Sequence, residues 1–346
     1  MNGEILKIGM PAGSLANPTR GGNLIKLLED AGFKTSGYEA GGPTTFPMLS
    51  YFYGWDGRPQ EFGSQLALDE IDVAISGDDW IKERILEYKY EFNKDINLER
   101  ILSLNRGKVR IVAIAKDNKT PEELLQKICT DKKHIVLATE MPFLSLEWLH
   151  NKLRKINKYE EFKTYSIQKY KTPPKIEKGI VIYESWGKTE SKVKNEGVDF
   201  GVEITQSGSA LKNYGLNIID EIFTSETSIW ITPDIKNKPQ KLELLKMFII
   251  NLYGAVNAEN KVMLLFNVPN NRVKDVEDYL FNNNLYADEP TKNEGNNYTE
   301  FSVQVDVNNP KIPLALVRYE LAKMGALSIN TLPVLSSIPK VDIFNF

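Results

Sequence analysis

Phe200-Gly201-Val202-Glu203-Ile204-Thr205-Gln206-Ser207-Gly208-Ser209-Ala210-Leu211 is a β-prone run that ends in small and hydroxyl residues around a glycine. It reads as a strand, Phe200 to Thr205, running into a turn. A phosphate group needs several donors at close range. Gly208 lets the backbone approach, Thr205, Ser207 and Ser209 offer hydroxyls, and successive N–H groups or a helix start favour an anion. Glu203, at the strand end, is suited to accept hydrogen bonds from sugar hydroxyls. On residue chemistry alone the same segment also fits an ordinary strand-to-helix loop.

Outward from this stretch the same unit recurs. Ile5 to Met10 meets Pro11-Ala12-Gly13-Ser14, after which Leu24, Ile25, Leu27, Leu28 and Ala31 follow at helical spacing. Ile71 to Ser76 ends at Gly77-Asp78-Asp79 and leads into Trp80, Ile81 and Ile85, with Asp78 or Asp79 the expected N-cap. Strands are expected at Val109 to Ala115, Ile135 to Thr139, Ile180 to Tyr183 and Ser228 to Thr232, with helices at Pro121 to Ile128 and Leu144 to Lys155. This alternation argues an α/β architecture with largely parallel sheets. After the Pro, Asp, Asn and Lys of Pro233 to Gln240, Leu242 to Val256 reads as an apolar helix. Strands at Val262 to Val268, Leu285 to Ala287, Phe301 to Val307 and Ala326 to Leu332, with helices at Val273 to Leu280 and Pro313 to Met324, then spell β-α-β-β-α-β, a ferredoxin-like order. The Asn-rich Asn282 to Asn297 reads mostly as loop.

Composition bounds the chemistry. With 346 residues, 42% of them apolar, the chain has the size for two or three domains. Its 43 basic and 46 acidic residues leave a formal charge of -3, which provides no broad field for nucleic acid or an anionic membrane. Cys129 is the only cysteine and His134 and His150 the only histidines, so neither a disulfide within the chain nor a thiolate or imidazole zinc site is expected. No apolar run approaches the roughly 20 residues of a membrane span, and the N-terminal stretch lacks signal-peptide character; a cytoplasmic location is expected.

The Glu203–Leu211 loop resembles the signature with which ATP phosphoribosyltransferases grip 5-phosphoribosyl pyrophosphate (PRPP), and Gly215-Leu216 follows it as in that family. Gly187-Lys188-Thr189-Glu190-Ser191-Lys192-Val193 is similar to its Gly-x-Thr/Val-Glu-x-Lys-Val element, with Asp199 in the place of the acidic residue before the PRPP strand. Met10 to Leu15 resembles the family's first loop, Arg58-Pro59-Gln60-Glu61 its Arg-x-Gln-Asp/Glu element, and Ile75 to Trp80 its Thr-Gly-x-Asp-Trp turn. Ala138-Thr139-Glu140, Phe266-Asn267-Val268-Pro269 and Gly325 to Val334 match further elements in the family's order, so the resemblance to the long form covers nearly the whole chain.

The resemblance implies a two-lobed, type II periplasmic-binding-protein-like catalytic core plus a C-terminal ferredoxin-like (βαββαβ) regulatory domain. The first lobe is expected over 1–107 and 217–247, the second over 108–216 and the third domain over 248–346. It implies the first step of histidine biosynthesis: N1 of ATP joins C1 of PRPP and pyrophosphate leaves, with Mg2+ as cofactor. No metal ligand is assigned to a protein side chain. Glu190 and Glu203 are the expected catalytic residues. Asp199, Glu203, Thr205, Gln206, Ser207, Gly208, Ser209, Ala210 and Leu211 are expected at PRPP, and Gly13, Ser14, Arg58, Asp78 and Asp79 at ATP. Histidine is the implied feedback inhibitor and a homo-oligomer, dimer or hexamer, the implied assembly. Two departures bear on the acceptor. Ala12 stands where the family usually has Lys, with Arg20 or Lys7 as substitutes, and Asn17 to Gly22 lengthens the same loop. These leave open a related PRPP-dependent transferase with another acceptor, or a binding protein that kept the cleft.

Overall fold

The structure, a computed structural model, describes residues 4–12, 15–16, 22–39, 42–285 and 291–340. The chain divides into two compact units, one built on residues up to Lys26 and Phe33–Lys246, the other on Leu27–Gly32 and Met247 onward. The helices are α1 (Leu24–Asp30), α2 (Pro59–Ala67), α3 (Asp78–Glu91), α4 (Pro121–Asp131), α5 (Pro142–Lys155), α6 (Tyr159–Phe162), α7 (Thr189–Lys194), α8 (Ser209–Asn213), α9 (Pro239–Ala258), α10 (Val273–Asn282) and α11 (Leu314–Lys323).

Among the described residues the first unit holds two six-stranded sheets. β1 (Leu6–Pro11), β2 (Thr44–Thr45), β3 (Phe52–Gly57), β4 (Val73–Gly77), β5 (Glu99–Ser103) and β12 (Thr227–Ile231) form one, in the order β2-β3-β1-β4-β12-β5. β6 (Val109–Ala115), β7 (His134–Thr139), β8 (Tyr165–Lys169), β9 (Gly179–Glu184), β10 (Phe200–Thr205) and β11 (Asn217–Ser225) form the other, in the order β11-β6-β10-β7-β9-β8. Both sheets are mixed rather than largely parallel. Their central pairs, β3-β1-β4 and β10-β7-β9-β8, are parallel, as crossover helices dictate. β12 and β6, by contrast, enter from the opposite sheet and pair antiparallel with both neighbours.

The second lobe is thus inserted between β5 and β12 of the first. β11 pairs with β6, so the return crossing falls at Glu226 and not near residue 217, where the expected division placed it. The two crossings are knit together: Thr227 N–H donates to Arg106 O at 2.9 Å and Leu104 N–H to Thr227 O at 2.9 Å. Ser103 Oγ donates to Glu226 Oε1 at 2.6 Å.

Burial explains why these strands read clearly. Along β6, Ile111, Ala113 and Ala115 enter one core while Val112 and Ile114 enter the other, and β9 splits its Ile180, Ile182 and Val181, Tyr183 the same way. A strand covered on both faces needs apolar residues at every position. α4 starts on a full capping box, with Thr120 and Glu123 bonding each other's backbone N–H and Pro121 in the first turn.

The second unit carries β13 (Lys261–Pro269), β14 (Thr291–Glu294), β15 (Tyr298–Asp306) and β16 (Leu327–Pro333) in the order β14-β15-β13-β16. With α10 and α11 this is the ferredoxin-like βαββαβ arrangement. Its sheet is half-buried: Leu264, Phe266 and Val268 alternate inward against Phe301, Val303 and Val305, and the Phe266 and Phe301 rings stack 5.5 Å apart. The second strand is β14, inside the stretch expected as loop; of the expected Leu285 to Ala287 strand, residues 286–287 lie outside the described residues, and Leu285 is a core residue in no strand. Two-lobed core and C-terminal domain together are the expected fold class.

Candidate active site

β10 delivers the chain to the turn at Thr205. Gly208 adopts φ 74°, a left-handed conformation that glycine enters without steric cost, and its N–H donates to Thr205 Oγ1 at 2.9 Å. Ser209 N–H donates to Ser207 Oγ at 3.3 Å and the two serine hydroxyls lie 2.8 Å apart, both exposed. Leu211 is buried against the second-lobe core, so it anchors α8 while Gln206, Ser207, Ser209 and Ala210 face solvent. A Cβ built on Gly208 would lie 3.8 Å from Arg110 Nη2, which places a guanidinium beside the turn. Arg110 is on β6, opposite Thr205 in the ladder, and pairs with Glu221 at 3.2 Å.

Glu203 precedes this turn with its side chain half-buried. Its Oε2 is buried and has no hydrogen-bond partner, and the Thr189 hydroxyl lies near the carboxyl. Burial first, then the Glu190 and Glu140 carboxylates, push Glu203 up to about 7 against that hydroxyl's pull. Glu140, at the end of β7, accepts from Gly187 N–H at 2.6 Å. Glu190, half-buried in the first turn of α7, is close enough to act on Glu203 electrostatically, so the structure brings these two carboxylates into one neighbourhood.

A cleft of about 660 Å³ runs between the two lobes of this unit. Arg58, Asp79, Trp80 and Ala12 line it from the first lobe, and Gln206, Ile204 and Trp186 from the second. Arg58, exposed at the start of α2, pairs with neither Asp56 nor Glu61 and has no ion-pair partner among the described residues. Asp79 reaches the cleft but is 4% exposed, accepts the Trp80 N–H at 3.0 Å, and is raised by burial. Trp80 also packs against the second-lobe core.

Three expectations change on this geometry. Asp199 sits at the far end of β10, roughly 20 Å of extended chain from Thr205. There it bonds Lys132 and accepts Val136 N–H at 2.8 Å, so it ties strands together away from the Thr205–Ser209 turn. Asp78 accepts from Arg100 Nε at 3.1 Å and Trp230 Nε1 at 3.0 Å, which commits it to the hinge rather than to a nucleotide. The N-cap of α3 is Gly77, with Asp78 and Asp79 the first helical residues. Gly13, Ser14 and Arg20 lie outside the described residues, and the Lys7 ammonium is 5.9 Å over the Trp55 ring.

Arg110, Thr189 and Trp186 were not expected at the site. Only Arg110 carried a visible signal, a lone cation in the apolar run Val109 to Ala115. The packing of α3 on α5 between the lobes holds another unexpected group. Glu83 on α3 is 7% exposed, and its two oxygens accept Phe143 N–H at 2.8 Å and Leu144 N–H at 2.7 Å, the amides that open α5 of the other lobe. Among the described residues no group of three or more His, Cys, Asp or Glu is placed to hold a metal ion, and no helix is long and apolar enough to cross a membrane.

The chain matches the HisG ATP phosphoribosyltransferase family profile over residues 58–254. ATP phosphoribosyltransferases of Pelodictyon phaeoclathratiforme and Chlorobium phaeobacteroides are 27% and 26% identical to it over 281 residues, 79% of this chain and 79% of each of theirs. Among solved structures, the ATP phosphoribosyl transferase (HisG:HisZ) complex from Thermotoga maritima superposes with a TM-score of 0.50 at 18% identity, over 72% of this chain and 98% of that one, a likeness of fold. With the family profile spanning both lobes from Arg58 and more than half of the chain, the chain belongs to the ATP phosphoribosyltransferase family.

Proposed function

We propose that the cleft joins ATP to PRPP. The Thr205–Leu211 turn, with Arg110, holds the 5-phosphate, and Glu203 and Glu190 face the ribose. The observation that carries this is Glu203 Oε2, a buried acceptor without a donor beside a turn with exposed serine hydroxyls. Ribose hydroxyls are donors of the right kind, and a buried acceptor left unpaired costs about 1–3 kcal/mol. Arg58, across the cleft, is suited to the phosphates of ATP or to the pyrophosphate through its planar fork of donors.

In the reaction the bond from adenine N1 to ribose C1 forms as the bond from C1 to the pyrophosphate oxygen breaks. The attacking nitrogen carries no proton, so no general base is needed, in keeping with a chain that holds two histidines. What the protein supplies is alignment of the two reactants and carboxylates near the positive charge that develops on the sugar. Magnesium bound on the pyrophosphate would supply positive charge to the leaving group, and no side chain of this chain is assigned to hold it. The C-terminal domain is the proposed seat of histidine inhibition, in a cytoplasmic homo-oligomer.

Purified protein given ATP, PRPP and magnesium is expected to release phosphoribosyl-ATP and pyrophosphate, less of both with histidine present. Ala12, which lines the cleft, favours a second reading with a different acceptor. PRPP binding with no ATP-dependent turnover selects that reading; failure to bind PRPP removes both.

A further inference from the structure

Trp186 is 72% exposed, an unusual setting for the largest apolar side chain, and its exposed ring lines the cleft. The turn that presents it is held on both sides. Ser185 N–H donates to Thr139 O at 2.8 Å, and Gly187 N–H is shared between Ser185 O at 2.9 Å and Glu140 Oε1 at 2.6 Å. Ser185 Oγ donates to Gly187 O at 3.0 Å, and Lys192 Nζ bonds both Ser185 Oγ and Gly187 O. Gly187, at φ 81°, permits the tight reversal. An indole on so constrained a backbone is aimed into the cleft with little left to order on binding.

What would cover it follows from the chemistry of the two reactants. PRPP and the triphosphate are polar throughout. The one flat, weakly hydrated surface brought into the cleft is the purine of the acceptor; of the other lining groups named, Arg58, Asp79 and Gln206 are polar, Ala12 is small, and Trp80 and Ile204 are packed against the second-lobe core, which leaves Trp186 as the exposed ring. Resting on the cleft reading above, we propose that Trp186 is the platform on which the acceptor's purine stacks, so that the indole holds the base from the second lobe while Arg58 holds phosphate from the first. This makes Trp186 a residue that selects for a nucleobase-bearing acceptor.

Steady-state kinetics of Trp186→Ala and Trp186→Phe test it. Loss of base–aromatic stacking is expected to raise KM for ATP by roughly 5- to 150-fold in the alanine variant, with KM for PRPP unchanged. Phenylalanine should restore most of that. ATP should quench tryptophan emission in the wild type, and the Phe variant should lose that quench while keeping a near-normal KM. An unchanged KM for ATP in Trp186→Ala, equal rises for both substrates, or a full ATP quench in Trp186→Phe would overturn the proposal. Arg58→Ala and Ser207→Ala separate the failures. If these shift a KM and Trp186→Ala does not, only the platform falls; if none of the three shifts a KM, the cleft reading itself falls.

Discussion

Replacing Glu83 with alanine is expected to destabilise the two-lobed unit by roughly 2–6 kcal/mol at pH 5.5 and by distinctly less at pH 8.5. The size follows from what the carboxyl satisfies. Two amide N–H groups, of Phe143 and Leu144, point at its oxygens from the start of α5 in a site only 7% exposed. Each buried donor left without an acceptor costs about 1–3 kcal/mol. The pH dependence follows from the carboxyl itself. Burial pushes Glu83 up to about 8, against the pull of the same two amides, with Glu87 adding to the rise and Arg84 opposing it. A carboxyl raised by folding contributes stability that is fully present below its unfolded value, near 4.5, and is lost as pH climbs through about 8. At about 1.36 kcal/mol per pH unit the wild type gives up as much as about 5 kcal/mol over that window. Alanine has nothing to titrate, so its penalty shrinks as pH rises. Glu83→Gln keeps one acceptor and should show a smaller penalty with the same trend. Urea unfolding followed by tryptophan emission reads this unit alone, because Trp55, Trp80, Trp148, Trp186 and Trp230 all lie within it. A penalty under about 1 kcal/mol, or one that grows with pH, would refute the reasoning.

Other expectations concern ligand binding. Arg110→Ala should raise KM for PRPP by roughly 10- to 100-fold, the worth of a charge-assisted phosphate contact, and leave KM for ATP alone; equal effects on both would remove Arg110 from the phosphate. Glu203, at about 7 in the free cleft, is mostly neutral at pH 6 and ionised at pH 8. Since the carboxylate is the stronger acceptor for sugar hydroxyls, PRPP affinity measured by calorimetry should rise across that range and lose the dependence in Glu203→Gln; a fall with pH contradicts the role. Asp199→Asn should cost roughly 1–3 kcal/mol in thermal unfolding with no change in KM for PRPP, and a rise in that KM would return Asp199 to the site.

How legible each element was depended on where it lies in its sheet. β6, β7, β9 and β10 carry unbroken apolar runs because both faces are covered. β14, at a sheet edge with all four residues exposed, has no apolar pattern to read. β11 is an edge strand with two irregularities and alternates weakly, so no strand is expected there from sequence and 217–225 falls to the first lobe. β3 was hidden by its two glycines, Gly54 and Gly57, which the fold needs because a Cβ there would meet Thr44 at 2.5 Å and Phe62 at 2.7 Å.

The sequence by itself determined the α/β class, the C-terminal βαββαβ order, the family resemblance and the strand that runs into the Thr205–Ser209 turn. Each of these is written in a contiguous stretch, where local periodicity or a short run of hydroxyls and glycine carries the whole signal. Tertiary structure decided the rest of the site. It brought Glu140, Thr189 and Glu190 to Glu203, set Arg110 beside Gly208, turned Trp186 into the cleft, and sent Asp199 and Asp78 to structural posts. A carboxylate pairs with a lysine at one end of β10 and is buried among other carboxylates at the other, according to what neighbouring strands present there. That pairing is a property of the sheet, and no single stretch of chain contains it.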